Sequence, residues 1–92
     1  MDERAQGLLI NLIEEAAEVS QIAAKSLRFG LNSYNPDDPE KVSNFELLCL
    51  EIGNLQHIVE LMRRAHILSP AIIEQGRNAK EQRLKKYPLI KR

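Results

Sequence analysis

Apolar residues in the first third of the chain recur at spacings of three and four, which is the period of an amphipathic α-helix. We predict a first helix from Asp2 or Glu3 to Phe29, with Gly30 ending it. Its apolar side is predicted to consist of Leu8, Leu9, Leu12, Ile13, Ala16, Val19, Ala23 and Leu27. The opposite side is a polar stripe made of Glu14, Glu18, Gln21, Lys25 and Arg28. This stripe is either a solvated face or one wall of a cleft.

A polar connection that contains two prolines separates this helix from a second stretch with apolar residues at helical spacing. Asp38 before Pro39 is one N-cap pattern that could start the second helix. The capping-box pattern Ser43-Asn44-Phe45-Glu46 could start it instead, and the sequence does not choose between the two. We predict that the second helix ends at about His66.

Ser69 and Pro70 predict the start of a third helix, which should run to about Tyr87 and end before Pro88. The sequence therefore predicts one all-α domain of three helices over residues 1–92. The first helix would be about 39 Å long, whereas a compact chain of this size has a radius of gyration of about 12 Å. Such long helices expose apolar sides unless another subunit covers them. We therefore predict a homodimer or homotetramer with a four-helix-bundle core.

Composition narrows the partners that this domain can have. Lysine plus arginine equals aspartate plus glutamate at 13 each, and zero net charge argues against a general nucleic-acid binder. No apolar run approaches the length of about 18 residues that predicts a membrane span, and no signal-peptide pattern is present. Cys49 is the one cysteine, which agrees with a cytoplasmic location. The chain beyond Arg77 is strongly basic, so it is either a solvated tail or an arm that reaches an anion.

The carboxylates are the candidate chemistry of this chain. Glu14, Glu15 and Glu18 lie close together on the predicted first helix, where like charges repel. Glu51 falls in the middle of the apolar stripe of the second helix. That stripe consists of Leu47, Leu48, Leu55, Ile58 and Met62. Because a buried ionised carboxylate is costly unless it is paired or holds a metal, we predict that the two helices face each other and their carboxylates share a divalent cation.

The stretches Glu14-Glu15-Ala16-Ala17-Glu18 and Glu51-Ile52-Gly53-Asn54 together resemble the signature of the MazG-like all-α nucleoside triphosphate pyrophosphohydrolases. That signature is Glu-Glu-x-x-Glu on one helix and Glu-x-x-Asp on the next. The stretch from Glu18 to Leu31, which contains Ala24 to Gly30, also resembles phage-encoded members of this family. The whole resemblance covers about Leu9 to Met62. It implies Mg²⁺-dependent cleavage of a nucleoside triphosphate into a monophosphate and pyrophosphate, with Mn²⁺ as an alternative ion.

The resemblance also implies roles for individual residues. The metal ligands would be Glu15, Glu18 and Glu51, with Asn54 in the remaining position. The catalytic residues would be Glu14 and Glu15, with Glu14 either binding a second metal ion or orienting the attacking water. Asn54 departs from the family pattern, which has Asp there, so the site loses one negative charge. Four basic residues are candidates for contacting the substrate phosphates because of their positive charge. They are Lys25, Arg28, Lys80 and Arg83. Some of them would act across a subunit boundary.

A function of another class is compatible with the same residues. On that hypothesis the protein is a catalytically inactive helical dimer that binds a nucleotide or a partner protein. Glu51 is then a buried carboxylate that pairs with Lys25 or Arg28 and so favours one specific packing of the helices. Asn54 is compatible with a weakened natural enzyme, with a nucleotide-binding relative without turnover and with an engineered substitution. Base specificity cannot be predicted, although Tyr34 in the connection is a candidate for stacking on a base.

Overall fold

The computed structural model describes residues 1–87 and shows three helices. They are α1 (Glu3–Phe29), α2 (Asn44–Arg64) and α3 (Pro70–Lys86). The predicted all-α class and helix number are confirmed, and the described residues contain no strand beyond one isolated bridge between Tyr34 and Ser43. The predicted stop at Pro88 lies outside the described residues.

Side-chain caps fix where each helix begins. The Asp2 carboxylate accepts a hydrogen bond from the Ala5 amide and starts α1. The Ser43 hydroxyl accepts from the Glu46 amide and starts α2, so the structure selects the capping-box pattern over the Asp38 start. The Ser69 hydroxyl caps α3 in the same way, with Pro70 as its first residue, as predicted.

Two helix ends follow from backbone conformation. Gly30 ends α1 as predicted, because its φ of +94° lies in a region that residues with a Cβ rarely adopt. The second helix was predicted to reach about His66, but it ends at Arg64. His66 has a φ of +59°, which is incompatible with a continuing right-handed helix. The chain turns there and enters α3.

The connection from residue 30 to residue 43 is held firmly against the start of α2. Asp38 organises it from within, since its two carboxylate oxygens accept from the amides of Glu40 and Val42. The backbone N–H of Asn44 donates a hydrogen bond to the Ser33 carbonyl at 2.8 Å. The buried side chain of Asn44 donates to the Gly30 carbonyl at 3.0 Å, which ties the end of α1 to the beginning of α2.

The helices α1 and α2 pack side by side as an antiparallel hairpin, and their contact is the main interhelix packing within residues 1–87. Ile22 and Met62 are its most buried apolar side chains, at 6% and 1% exposure. The predicted apolar side of α1 was therefore partly wrong, because it omitted Ile22 and included Ile13 and Leu27, which are 69% and 90% exposed. The cause is that α1 carries apolar residues on more than one face, so periodicity alone does not identify the face that packs.

The arrangement is a thin layer rather than a sphere. The principal extents are 43 × 39 × 15 Å and the radius of gyration is 16.2 Å, compared with about 12 Å for a compact chain of this length. Helix α3 makes little contact with the hairpin, and almost all of its residues are exposed. None of the helices in the described part of the chain has the length and apolar character needed to cross a membrane.

We expect Asn44→Ala to lower the free energy of unfolding by about 1 kcal/mol, because the Gly30 carbonyl loses its partner and a buried hydrogen bond is lost. Urea unfolding at a fixed protein concentration measures the change. Asn32→Ala is the matched control, since Asn32 is exposed in the same connection and should have an effect below about 0.5 kcal/mol. Equal effects of the two substitutions would contradict the role of Asn44.

Candidate metal centre

Three carboxylates meet where α1 faces α2. Glu15 lies on the packing side of α1, and Glu51 lies among the apolar residues of the packing side of α2. Glu18 is one turn further along α1. One carboxylate oxygen from each of these residues lies within 4.8 Å of the other two. We call these three residues the acidic triad; the structure brings together three of the four predicted metal ligands.

Two oxygens of the acidic triad are shielded from solvent without any compensating contact. Oε2 of Glu15 and Oε2 of Glu51 are buried and have no hydrogen-bond partner. An unpartnered buried polar atom costs roughly 1–3 kcal/mol, and more when it is charged. This arrangement is unfavourable for an apo protein with all three carboxylates ionised, and it is relieved by a proton or a cation placed between them.

The pKa of the Glu18 carboxyl reflects the same unfavourable arrangement of carboxylates. Proton sharing with Glu51 raises the pKa of the Glu18 carboxyl, and the negative charges of Glu51 and Glu15 raise it further. Partial desolvation and the charge of Glu14 act in the same direction. These causes all reflect the closeness of the Glu18 carboxyl to other acidic groups.

Basic side chains do not neutralise the triad. In the part of the chain that the structure describes, the ion pairs join Glu60 to Arg63 and Arg64, and Glu74 to Arg77. No ion pair involving the triad is formed there. The alternative hypothesis in which Glu51 is paired with Lys25 or Arg28 therefore has no support in these contacts.

A cavity of about 300 Å³ opens beside the triad and includes carboxylates, a cation and apolar walls. It is lined by Glu18, Gln21, Ile22, Lys25, Leu47 and Glu51. Lys25 is exposed and lies two helical turns from Glu18 along α1, about 10 Å at the rise of an α-helix. The cavity therefore combines negative charge at one end with positive charge at the other.

The remaining predicted site residues are placed less favourably. Asn54 is exposed and does not line this cavity, and Glu14 is exposed but close enough to influence the pKa of Glu18. The Arg28 guanidinium lies over the Phe29 ring, 5.0 Å from its centroid. Lys80 and Arg83 are exposed on α3 and do not line the cavity. Within one chain, Lys25 is thus the predicted phosphate contact that lies beside the triad.

A second, larger cavity was not predicted from the sequence. It has a volume of about 730 Å³ and lies between the end of α1, the connection and the start of α2. Lys25 and Leu47 line both cavities, so the two are adjacent. Lys41 lies beside it with its ammonium 6.0 Å from the Tyr34 ring centroid. The sequence signals for this region were the proline-containing connection and Tyr34, but neither showed that a cavity forms there.

The raised pKa of Glu18 makes the stability of metal-free protein depend on pH. The folded protein holds this proton more tightly than the unfolded chain does, so the stabilisation is complete below the ordinary pKa of 4.5. It is lost as the pH rises through the raised pKa. We expect Glu18→Gln to remove part of this loss when unfolding is measured with a chelator present over a range of pH.

Glu60→Gln is the matched control for that measurement. The hydrogen bond from Arg63 lowers the pKa of Glu60 to about 2, so Glu60 stabilises the fold above pH 4.5 and this contribution disappears as the pH falls towards 2. Glu60→Gln should therefore change the dependence of stability on pH below pH 4.5, whereas Glu18→Gln should change it above pH 4.5. If the stability of Glu18→Gln above pH 4.5 depends on pH as that of the wild type does, the carboxylates of the triad do not repel one another measurably.

Comparisons of this chain with protein-family models, with curated proteins and with solved structures found no match. The resemblance to the MazG-like pyrophosphohydrolases consequently remains a prediction from the motif residues. The acidic triad and the cavities beside it are the observations on which a functional proposal can be built.

Proposed function

We propose that this protein is a Mg²⁺-dependent nucleoside triphosphate pyrophosphohydrolase, which hydrolyses the bond between the α and β phosphates and releases pyrophosphate. The observation that carries this proposal is the acidic triad: Glu15, Glu18 and Glu51 converge within 4.8 Å from two helices. These are residues of the motif pair that resembles the MazG-like signature. Their convergence fits the metal chemistry that such hydrolysis requires.

The donor set fits a hard divalent cation. Mg²⁺ takes oxygen ligands and is typically bound by one or two carboxylates together with substrate phosphates and water. The buried, unpartnered Oε2 atoms of Glu15 and Glu51 are suitable first ligands, and Glu18 adds a third carboxylate. Mn²⁺ prefers the same ligand class and is expected to substitute. When bound, the ion would neutralise charge on the phosphate oxygens.

The other residues would act on the substrate and on the attacking water. Lys25 lies beside the triad and would bind a phosphate oxygen. Glu14 neighbours Glu15 on α1 and would orient or deprotonate the water that breaks the anhydride bond. Asn54 lies three residues after Glu51 on α2; its amide oxygen can ligate a cation without adding negative charge. We therefore expect weaker metal binding and slower turnover than an Asp at this position would give.

The proposal includes a homo-oligomer, for which the exposed apolar residues are the support. Ile10, Ile13 and Leu27 project from α1 with more than half of their surface exposed. The chain buries few large apolar side chains by itself, and single layers of helices are stabilised when a second layer covers them. In a dimer or tetramer, Lys80 and Arg83 of α3 could reach the phosphates held by a neighbouring chain, because α3 stands apart from its own hairpin.

Pyrophosphate release tests the catalytic part of the proposal. Purified protein with Mg²⁺ should release pyrophosphate from at least one member of a nucleoside triphosphate panel. Asn54→Asp should increase the rate, because it adds a carboxylate one helical turn after Glu51 on α2. If no nucleotide is hydrolysed by either form, while nucleotides still bind, the chain is instead a nucleotide-binding protein without turnover. Asn54 is the residue that favours that second function.

Glu51→Gln separates a metal-ligand role from a structural one. Millimolar Mg²⁺ should raise the melting temperature of the wild-type protein by ligand linkage, and the substitution should abolish this increase together with turnover. Without metal the variant should be at least as stable as the wild type, because a like charge has been removed. Glu46→Gln, at an exposed glutamate of the same helix, should keep the Mg²⁺ response. A large loss of metal-free stability in Glu51→Gln would instead identify a structural carboxylate.

Sedimentation equilibrium tests the oligomer. We expect the wild-type protein to have at least twice the 10.5 kDa mass of one chain, and Ile13→Glu to dissociate it by placing a charge on the exposed apolar side of α1. Gln82→Glu, an exposed position on α3, should leave the mass unchanged. Circular dichroism checks that both variants remain helical. A wild-type protein that stays monomeric at high micromolar concentration would contradict this part of the proposal.

A further inference from the structure

The larger cavity between α1, the connection and α2, which we call the loop cavity, has the chemistry of a small-molecule site. Its volume of about 730 Å³ falls within the range of about 300–1,000 Å³ that is typical of ligand pockets. Phe29, Tyr34 and Leu47 provide aromatic and apolar surface, while Asn35 and Asn44 provide amide groups. Aromatic side chains together with a few amide groups suit a planar heterocycle that carries hydrogen-bonding groups.

The loop cavity is adjacent to the cavity beside the acidic triad. Lys25 and Leu47 line both cavities, so a ligand that passes these two side chains would reach from one cavity to the other. Along α1, Glu18, Lys25 and Phe29 follow one another at intervals of seven and four residues, which place them on the same side of the helix. The order is therefore a carboxylate, a cation and an aromatic ring.

That order matches the chemical order of a nucleotide. The metal centre suits the phosphates, and the ammonium of Lys25 suits the phosphate nearest the sugar. The ring of Phe29 lies about 6 Å further along the helix at the rise of an α-helix, inside the loop cavity. A base bound there would be separated from the metal ion by the length of its own sugar and phosphate chain.

The walls of the loop cavity are formed before any ligand binds. Asp38 accepts hydrogen bonds from the Glu40 and Val42 amides, and the Asn44 side chain bonds to the Gly30 carbonyl. The Asn35 side-chain oxygen accepts from the Asp37 amide, which leaves the NH₂ group of Asn35 as a donor. Such a preformed cavity binds a rigid base without a large ordering cost.

We propose that the loop cavity binds the base and sugar of the nucleotide whose phosphates lie at the acidic triad. This inference rests on the proposed function and specifies where its substrate lies. Tyr34 and Phe29 provide the stacking surfaces, Asn35 donates to an acceptor on the edge of the base, and Lys25 binds the intervening phosphate. Selectivity among bases then depends on the connection and not on the metal ligands.

Binding of two probes tests the inference. Calorimetric titrations with Mg²⁺ use inorganic tripolyphosphate, which lacks a base, and a set of α,β-imido deoxynucleoside triphosphates, which resist cleavage at the relevant bond. At least one nucleotide should bind more tightly than tripolyphosphate to the wild-type protein. Tyr34→Leu should weaken binding of that nucleotide by about tenfold through lost stacking and leave tripolyphosphate affinity unchanged.

Tyr87→Leu is the matched control, because Tyr87 is also an exposed tyrosine with a lysine ammonium over its ring, at 5.4 Å, but it does not line the loop cavity. It should alter neither affinity. Phe29→Leu is a second variant in the cavity and should act like Tyr34→Leu, so the test does not depend on one substitution folding correctly.

The possible outcomes distinguish this inference from the proposed function. The loop cavity is not the base site if tripolyphosphate binds with Mg²⁺ as tightly as every nucleotide does. The same conclusion follows if Tyr34→Leu and Phe29→Leu leave nucleotide affinity unchanged. Neither result contradicts metal binding at the acidic triad. A weakening of both probes by these variants would likewise overturn the inference. If neither probe binds the wild-type protein, the proposed function fails and the nucleotide is excluded as the occupant.

Discussion

The main constraint on the candidate site is the meeting of two carboxylates at a helix–helix contact. Glu15 and Glu51 each lie on the side of their helix that packs against the other, and each has a buried oxygen without a partner. Ordinary packing would place apolar side chains there, because unpaired buried charge is strongly unfavourable. Glu18 adds a third carboxyl group, whose pKa is raised by hydrogen bonding with Glu51 and by the nearby negative charges. A divalent cation satisfies all three carboxylates together, whereas one proton satisfies only part of the set.

The rest of the chain positions this contact and shapes its surroundings. The connection is fixed by Asp38 and Asn44, so α2 returns along α1 at a defined position and Glu51 meets Glu18. The same hydrogen bonds build the loop cavity next to Lys25. Helix α3 contributes little to the hairpin, and its Lys80 and Arg83 side chains are exposed. Site geometry and cavity shape thus have a common origin in the α1–α2 hairpin.

The sequence was informative where one physical signal dominated. Glu51 was placed correctly among the residues that pack on α1, because Leu47, Leu55 and Met62 recur on its side of α2. For the start of α2 the sequence offered two caps, and the structure selects Ser43. The packing side of α1 was partly misassigned, since apolar residues lie on several faces of α1 and periodicity alone does not show that Ile22 is buried and Leu27 exposed. The loop cavity was not predicted because it depends on contacts between distant residues, such as Asn44 with Gly30. Periodicity and motif spacing do not report such contacts.

The most direct test of the central claim is to locate a metal ion in crystals of the protein grown or soaked with Mn²⁺. Anomalous diffraction distinguishes this ion from water and from lighter cations. The account predicts an anomalous peak between α1 and α2, bonded to carboxylate oxygens of Glu15, Glu18 and Glu51. Ordered carboxylates at this position without a peak, or with a lysine or arginine side chain between them, would contradict it.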